Sequence, residues 1–105
     1  ATISYFEILT DLLREKHMAN LIDELRIKII DTLKLEDVSP EDMGEEDQLV
    51  GGELGLDSID VLEMVIMIEK DYAVKIDNKE LGARVFANLK TLAAYIEETA
   101  PKGIF

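Results

Sequence analysis

Ser58 is the residue whose type and position best suit it to chemistry. It follows Asp57, and a long apolar run begins at Ile59. Because Asp is a favourable helix N-cap, the sequence predicts a helix with Ser58 at its first position. Helix N-termini present backbone N–H groups and a positive dipole end, and both favour a phosphate group. We therefore expect an exposed hydroxyl at a place that tolerates a phosphate.

The helix predicted after Ser58 has two apolar stripes. At 100° per residue, the first is a core face made of Val61, Met64, Val65, Ile68 and Tyr72. The second stripe, Ile59, Leu62 and Ile66, lies on roughly the opposite side. An ordinary surface helix has only one apolar stripe. The second stripe is therefore expected either to be buried against another element or to contact something outside the chain.

Residues 54–59, which read Leu-Gly-Leu-Asp-Ser-Ile, resemble the attachment site of the acyl carrier protein family. The resemblance implies that Ser58 takes a 4′-phosphopantetheine arm through a phosphodiester bond, and that the arm's thiol holds acyl groups as thioesters. Gly55 and Asp57 match the motif, and Ile59 stands where leucine is usual. An Asp-Ser pair before an apolar run is also an ordinary helix cap, but the two-striped helix and the acidic composition favour a carrier.

The resemblance and the apolar spacing predict an all-α fold, an acyl-carrier-type four-helix bundle with three long helices and one short one. A long loop precedes the central helix, and its Gly51-Gly52 pair departs from the family pattern, which is expected to loosen the approach to Ser58. We expect an additional N-terminal helix over residues 1–19, the carrier domain over 20–98 and a tail over 99–105.

The boundary between the first two predicted helices is poorly marked, because neither Gly nor Pro occurs near residues 17–20. One long bent helix is the alternative. The additional segment has an apolar face, and helices of its length usually need tertiary packing to persist. Packing on the domain's own core is the favoured interpretation, and docking on a partner enzyme is the other.

Composition excludes several functions. Lys and Arg total 11 against 23 Asp and Glu, a net charge of −12, which excludes an electrostatic nucleic-acid binder and favours basic protein partners. The chain has no cysteine, so disulfides and cysteine nucleophiles are excluded. A single histidine, His17, and the lack of a G-x-S-x-G motif give no support to an enzyme. No apolar run reaches membrane-spanning length, and we expect a cytoplasmic monomer without a metal site.

The resemblance also implies partners. A phosphopantetheinyl transferase would modify Ser58 with coenzyme A as donor, and separate acyl-synthesising and acyl-transferring enzymes with basic patches would read the central helix. The predicted partner face comprises Ile59, Asp60, Leu62, Glu63, Ile66 and Glu69. Candidates for an acyl pocket are Leu62, Ile66, Ile76 and Leu81, for which a purely structural role is equally compatible with the sequence.

The sequence predicts a carrier protein, but it leaves several kinds of cargo open. The acidic balance favours fatty-acid or specialised lipid biosynthesis over a polyketide or aminoacyl/peptidyl carrier. An unmodified acidic helical interaction module is a further alternative. The absence of Pro/Ser-rich flanks favours a free-standing carrier.

Overall fold

The computed structural model describes residues 5–52 and 54–101, which form four α-helices and one short 3-10 helix. The helices are α1 (Tyr5–Leu33), α2 (Ser58–Tyr72), α3 (Lys79–Val85) and α4 (Leu89–Thr99), and the 3-10 helix is Pro40–Asp42. Over these two ranges the structure has no strand, only an isolated bridge between Val50 and Leu56. The predicted all-α four-helix bundle is confirmed, with α3 as the short helix.

Helix α1 differs from the predicted pair of helices. It runs without interruption for 29 residues, so the break predicted near residues 17–20 is wrong and the one-helix alternative is right. Residues 14–19 are Arg-Glu-Lys-His-Met-Ala, and they include several strong helix formers. The predicted additional N-terminal helix is therefore the first half of α1. Residues 1–4 of that segment lie outside the described part of the chain, as do residues 102–105 of the predicted tail.

The core forms where the second half of α1 packs against α2 and α4, while α3 packs against α4. From α1 the core takes Leu21, Ile22, Leu25 and Ile29, and from α4 it takes Leu89, Leu92, Ala93 and Ile96. On α2, the predicted core residues Met64, Ile68 and Tyr72 are buried. Val61 and Val65, which were also predicted to lie in the core, are only partly buried.

The long loop between α1 and α2 is held down by apolar anchors and backbone hydrogen bonds. Met43 and Leu49 are buried, and Pro40 begins the 3-10 helix. Arg26 Nε on α1 donates to the Met43 carbonyl at 2.8 Å, and the Leu49 N–H donates to the Ala87 carbonyl at 3.1 Å. The loop is thus tied both to α1 and to the segment between α3 and α4.

The connector between α2 and α3 is extended but forms no strand. Val74 and Ile76 alternate with exposed residues and are buried. Helix α3 then begins after Asn78, whose side chain accepts a hydrogen bond from the Leu81 N–H at 2.7 Å. The connector and this cap set the residue at which α3 begins.

A polar cluster joins α1 to the end of α2. The buried Tyr72 donates its hydroxyl hydrogen bond to Glu24 Oε1 at 2.9 Å. Lys28 Nζ lies 3.0 Å from Asp71 Oδ2 and 5.6 Å from the centre of the Tyr72 ring. Burial, followed by the hydrogen bond to Glu24 and the nearby negative charges, raises the pKa of Tyr72 well above its ordinary 10.0.

This raised pKa makes stability depend on pH in the alkaline range. Unfolded Tyr72 loses its proton near pH 10.0 while the folded residue keeps it, so the free energy of unfolding falls as pH rises above that value. We expect Tyr72→Phe to lose about 1 kcal/mol at neutral pH through the missing hydrogen bond. We also expect the variant to fall less steeply than the native chain between about pH 9 and about pH 11.

Urea unfolding across that pH range measures both effects. Tyr95→Phe, which removes a hydroxyl from a partly buried ring on α4, is the matched control for the loss of a tyrosine hydroxyl as such. Equal alkaline slopes for Tyr72→Phe and the native chain would contradict the assignment.

Candidate functional site

Ser58 is exposed and is the first residue of α2. Asp57 is the N-cap, and its Oδ1 accepts hydrogen bonds from the N–H groups of Ile59 and Asp60 at 3.0 and 3.1 Å. In return, Asp60 Oδ2 accepts a hydrogen bond from the Asp57 N–H at 3.0 Å. This reciprocal capping box confirms the predicted cap. It fixes Ser58 at the positive end of the helix dipole.

The approach to Ser58 is a tight turn. The Gly51 N–H donates to the Leu56 carbonyl at 3.2 Å, and the Gly55 N–H donates to the Gly52 carbonyl at 3.0 Å. Gly51 and Gly55 have φ of 77° and 68°, in the left-handed region that favours glycine. A Cβ atom on Gly52 would lie 2.4 Å from the Gln48 carbonyl oxygen. The predicted loosening by Gly51-Gly52 is therefore wrong, because these glycines allow the turn to close.

A cavity of about 760 Å³ begins at Ser58 and lies between α2, the extended connector and α3. Its apolar lining comprises Val50, Val61, Leu62, Val65, Ile76, Ala83, Phe86 and Ala87. Of the four residues predicted for an acyl pocket, Leu62 and Ile76 lie in this lining. Ile66 is exposed and Leu81 is only partly buried, and neither lines the cavity.

Sequence reasoning missed Val61, Val65 and Phe86 as lining residues. A signal for the two valines was present, because positions 58, 61, 62 and 65 follow the i, i+3, i+4, i+7 spacing of one helix face. Both valines were assigned to the core stripe, and their partial burial places them between the core and the cavity. Phe86 follows α3 in sequence, and only the packing of α3 brings it to the same cavity.

Polar groups lie at the edge of this cavity. Gln48, Asp77, Asn78 and Lys79 contribute to its lining. Among the described lining residues Lys79 is the only cation, and sequence reasoning did not select it. Asp77 also lines the cavity and carries the opposite charge, so the charges of these polar lining residues cancel. The cavity thus combines an apolar lining with one carboxylate and one ammonium group.

The second apolar stripe of α2 is uncovered. Ile59, Leu62 and Ile66 are 66%, 59% and 57% exposed. Glu63 and Glu69 on the same helix are exposed, and Asp60 is partly exposed. Of the two outcomes predicted for this stripe, burial by another element does not occur within residues 5–52 and 54–101. The stripe is therefore a surface that combines apolar side chains with carboxylates.

This arrangement fits covalent attachment of a phosphate-linked arm. The Ser58 hydroxyl is exposed at a helix N-terminus, and an apolar cavity begins beside it. The Asp57 carboxylate already accepts two backbone hydrogen bonds, so its role is that of a cap.

Within the described chain, His, Asp and Glu side chains form no group of three or more that could hold a metal ion. None of the described helices is long and apolar enough to cross a membrane.

The fold and the site together define a small helical carrier domain. Residues 23–96 match the model of a family described as a phosphopantetheine attachment site. An acyl carrier protein of Wolinella succinogenes is 31% identical over 77 residues, which cover 73% of this chain and 93% of that protein. No solved structure matched the chain. The chain belongs to the acyl carrier protein family, whose members bind 4′-phosphopantetheine covalently and act as carriers rather than enzymes.

The capping box gives a direct stability test. We expect Asp57→Ala to lower the free energy of unfolding by about 1 kcal/mol, because two N–H groups at the start of α2 lose their acceptor. Asp57→Asn retains a side-chain oxygen and should cost only a few tenths of that amount. Urea unfolding at neutral pH measures the difference. Equal losses for the two variants would show that the cap is not the source of the stabilisation.

Proposed function

We propose that Ser58 is the residue to which 4′-phosphopantetheine is attached. The observation that carries this proposal is the exposed position of Ser58 at the capped start of α2, directly at the cavity. Its place within the matched residues 23–96 and the Leu-Gly-x-Asp-Ser motif support the same residue. The other described serine, Ser39, caps the 3-10 helix and lacks this motif.

Attachment requires a separate phosphopantetheinyl transferase and coenzyme A. The Ser58 hydroxyl oxygen attacks the pantetheine-bearing phosphorus of the coenzyme A pyrophosphate, and the bond to adenosine 3′,5′-bisphosphate breaks. The hydroxyl proton passes to a base on the transferase. The product is a phosphodiester on Ser58, and the thiol of the bound group holds acyl chains as thioesters. The α2 dipole favours the phosphodiester at this position.

The cavity beside Ser58 is the proposed place for the cargo. It is lined mainly by apolar side chains and is within the size range of small-molecule sites. Leu62 and Ile76 are retained from the predicted acyl pocket, and Val61, Val65 and Phe86 are added to it. Acyl carbons placed there would leave water, with a gain of about 0.8 kcal/mol per buried CH₂.

The uncovered stripe of α2 is the proposed partner face. Ile59, Leu62 and Ile66 provide apolar contact, and Asp60, Glu63 and Glu69 provide negative charge. A patch of this size suits short-lived complexes, which a shuttle needs in order to leave each enzyme. Its charge matches the basic patches expected on the transferase and on acyl-handling enzymes.

We place the carrier in fatty-acid or specialised lipid biosynthesis, supported by the net charge of −12 and the apolar cavity. A polyketide or aminoacyl/peptidyl carrier is the alternative, and the mass of the thioester isolated from cells separates the two. The cytoplasmic location expected from the sequence stays a prediction.

Substitution of Ser58 tests the attachment. After incubation with coenzyme A and a broad-specificity transferase, we expect the native chain to gain the mass of one phosphopantetheine group. Ser58→Ala should gain none, because the attacking oxygen is missing. Intact mass spectrometry measures the gain, and Ser39→Ala, at an exposed serine away from α2, should be modified like the native chain. Modification of Ser58→Ala would overturn the proposal.

A bulky side chain in the cavity tests the cargo site. In the native chain, loading with octanoyl-phosphopantetheine should raise the melting temperature above that of the form with a free thiol. Ala83 is exposed at the cavity wall, so Ala83→Phe should fill the cavity without disrupting the core and abolish that rise.

Glu80→Phe is the matched control, because it adds the same ring to α3 outside the cavity lining. Calorimetry of the loaded and unloaded forms gives the two melting temperatures. An undiminished rise in Ala83→Phe would place the acyl chain elsewhere.

A further inference from the structure

The first half of α1 carries an apolar face that no described element covers. Its six large apolar side chains are all between 49% and 87% exposed: Tyr5, Phe6, Ile8, Leu9, Leu12 and Leu13. The two aromatic rings alone expose on the order of 300 Å², and the whole face exceeds the patches usual on monomeric proteins. We expect an exposed apolar face of this size to be covered by another molecule.

The domain's own core cannot cover this face while α1 stays a single helix. At 100° per residue, the exposed face is centred on roughly the opposite side of α1 from the core residues Leu21, Leu25 and Ile29. The packing on the domain's own core that the sequence favoured is therefore wrong for the described residues.

The spacing within the face is that of a coiled-coil seam. Tyr5, Leu9, Leu12 and Lys16 follow one another at intervals of four, three and four residues and lie along the centre of the face. Phe6 and Leu13 widen it on one side. Such a seam is completed by a second helix with the same spacing, and the chain itself provides one.

We propose that two copies of this chain pair through residues 5–16 of α1 in antiparallel orientation. With the helices reversed, Leu9 of each copy lies level with Leu12 of the other, which gives two central leucine layers. Lys16 of each copy then lies level with Tyr5 of the other, where the ammonium group can pack on the ring face. A parallel pair would instead place Lys16 beside Lys16.

Repulsion between the acidic domains is a stronger reason to favour the antiparallel over the parallel arrangement. Residues 5–17 contain three acidic and two basic side chains, so nearly all of the net charge of −12 belongs to the rest of the chain. In the antiparallel pair the two Leu21 residues, where the cores begin, are about 30 Å apart along the helices. That distance exceeds the Debye length of about 8 Å in physiological salt. Parallel pairing would bring the acidic domains side by side.

The available area also suits a second copy. Specific protein interfaces bury about 800 Å² from each partner. The six exposed side chains of the face spread over about 160° of α1, so one partner helix covers the central ones fully and the flanking ones in part. The pairing is therefore expected at the weak end of the range of specific interfaces. The pairing uses only the part of α1 that precedes the core, so Ser58 and the α2 stripe stay uncovered in both copies.

Sedimentation equilibrium of the full chain at several concentrations tests the pairing. We expect a reversible monomer–dimer equilibrium. Leu12→Glu should weaken it by at least about a hundredfold, because each dimer contains the change twice. Ile27→Glu alters a residue that is 60% exposed on the same side of α1 but outside the overlap, and it should leave the dimer unchanged. Circular dichroism checks that both variants keep their helices.

Disulfide trapping tests the orientation. The chain has no cysteine, and a Ser58→Ala background removes the proposed thiol arm. When Tyr5→Cys and isotope-labelled Lys16→Cys chains are mixed and oxidised, we expect disulfides between the two different variants. Disulfides between two copies of the same variant would show parallel pairing and overturn the proposal. Weakening of the dimer by Ile27→Glu as strong as that by Leu12→Glu would do the same, because only a pairing that extends along α1 reaches Ile27.

A monomer at every concentration would also overturn it. So would a native chain that stays monomeric but floats with phosphatidylcholine vesicles, since the occupant would then be a lipid surface. Neither result bears on Ser58, whose modification is measured separately.

Discussion

The reciprocal cap between Asp57 and Asp60 is the interaction on which the position of Ser58 depends. It fixes the residue at which the helix begins and holds Ser58 at the positive end of the helix dipole. With Ser58 first, Met64 and Ile68 point into the core, Val61 and Val65 face the cavity, and the second apolar stripe faces solvent. Loss of the cap would leave the first N–H groups of α2 without their acceptor, so the first turn and the position of Ser58 would be affected most.

Features that depend on residues close together in the sequence could be predicted, and features that depend on contacts between distant elements could not. The cap at Asp57 and most of the core face of α2 follow from contacts and spacing within a few residues, and local patterns predicted them. The cavity joins α2 to α3 and to Phe86, which no local pattern relates. Its lining was therefore predicted only in part. The turn at Gly51-Gly52 depended on a contact with the Gln48 backbone that composition does not reveal.

Helix α1 shows a different limit of sequence reading. Its two halves have apolar faces on opposite sides, and a periodic pattern that changes phase is easily taken for a break between two helices. Backbone continuity was decided instead by the absence of any residue that interrupts a helix. The change of phase matters for function, because a single rigid element joins the core of the carrier domain to a surface that projects away from it. Together with the other elements it gives the molecule its longest dimension, 49 Å.

The described core contains no buried polar or charged residue, and this affects how the bundle can deform. Apolar contacts have no preferred direction, so the part of the core away from the Tyr72–Glu24 hydrogen bond can repack without breaking a hydrogen bond. Met43, Met64 and Met67 are buried there, and their unbranched side chains adapt readily to a changed shape. Met64 and Met67 both belong to α2. The packing of the central helix against the core can thus adjust by rearrangement of soft side chains when another protein presses on its outer face.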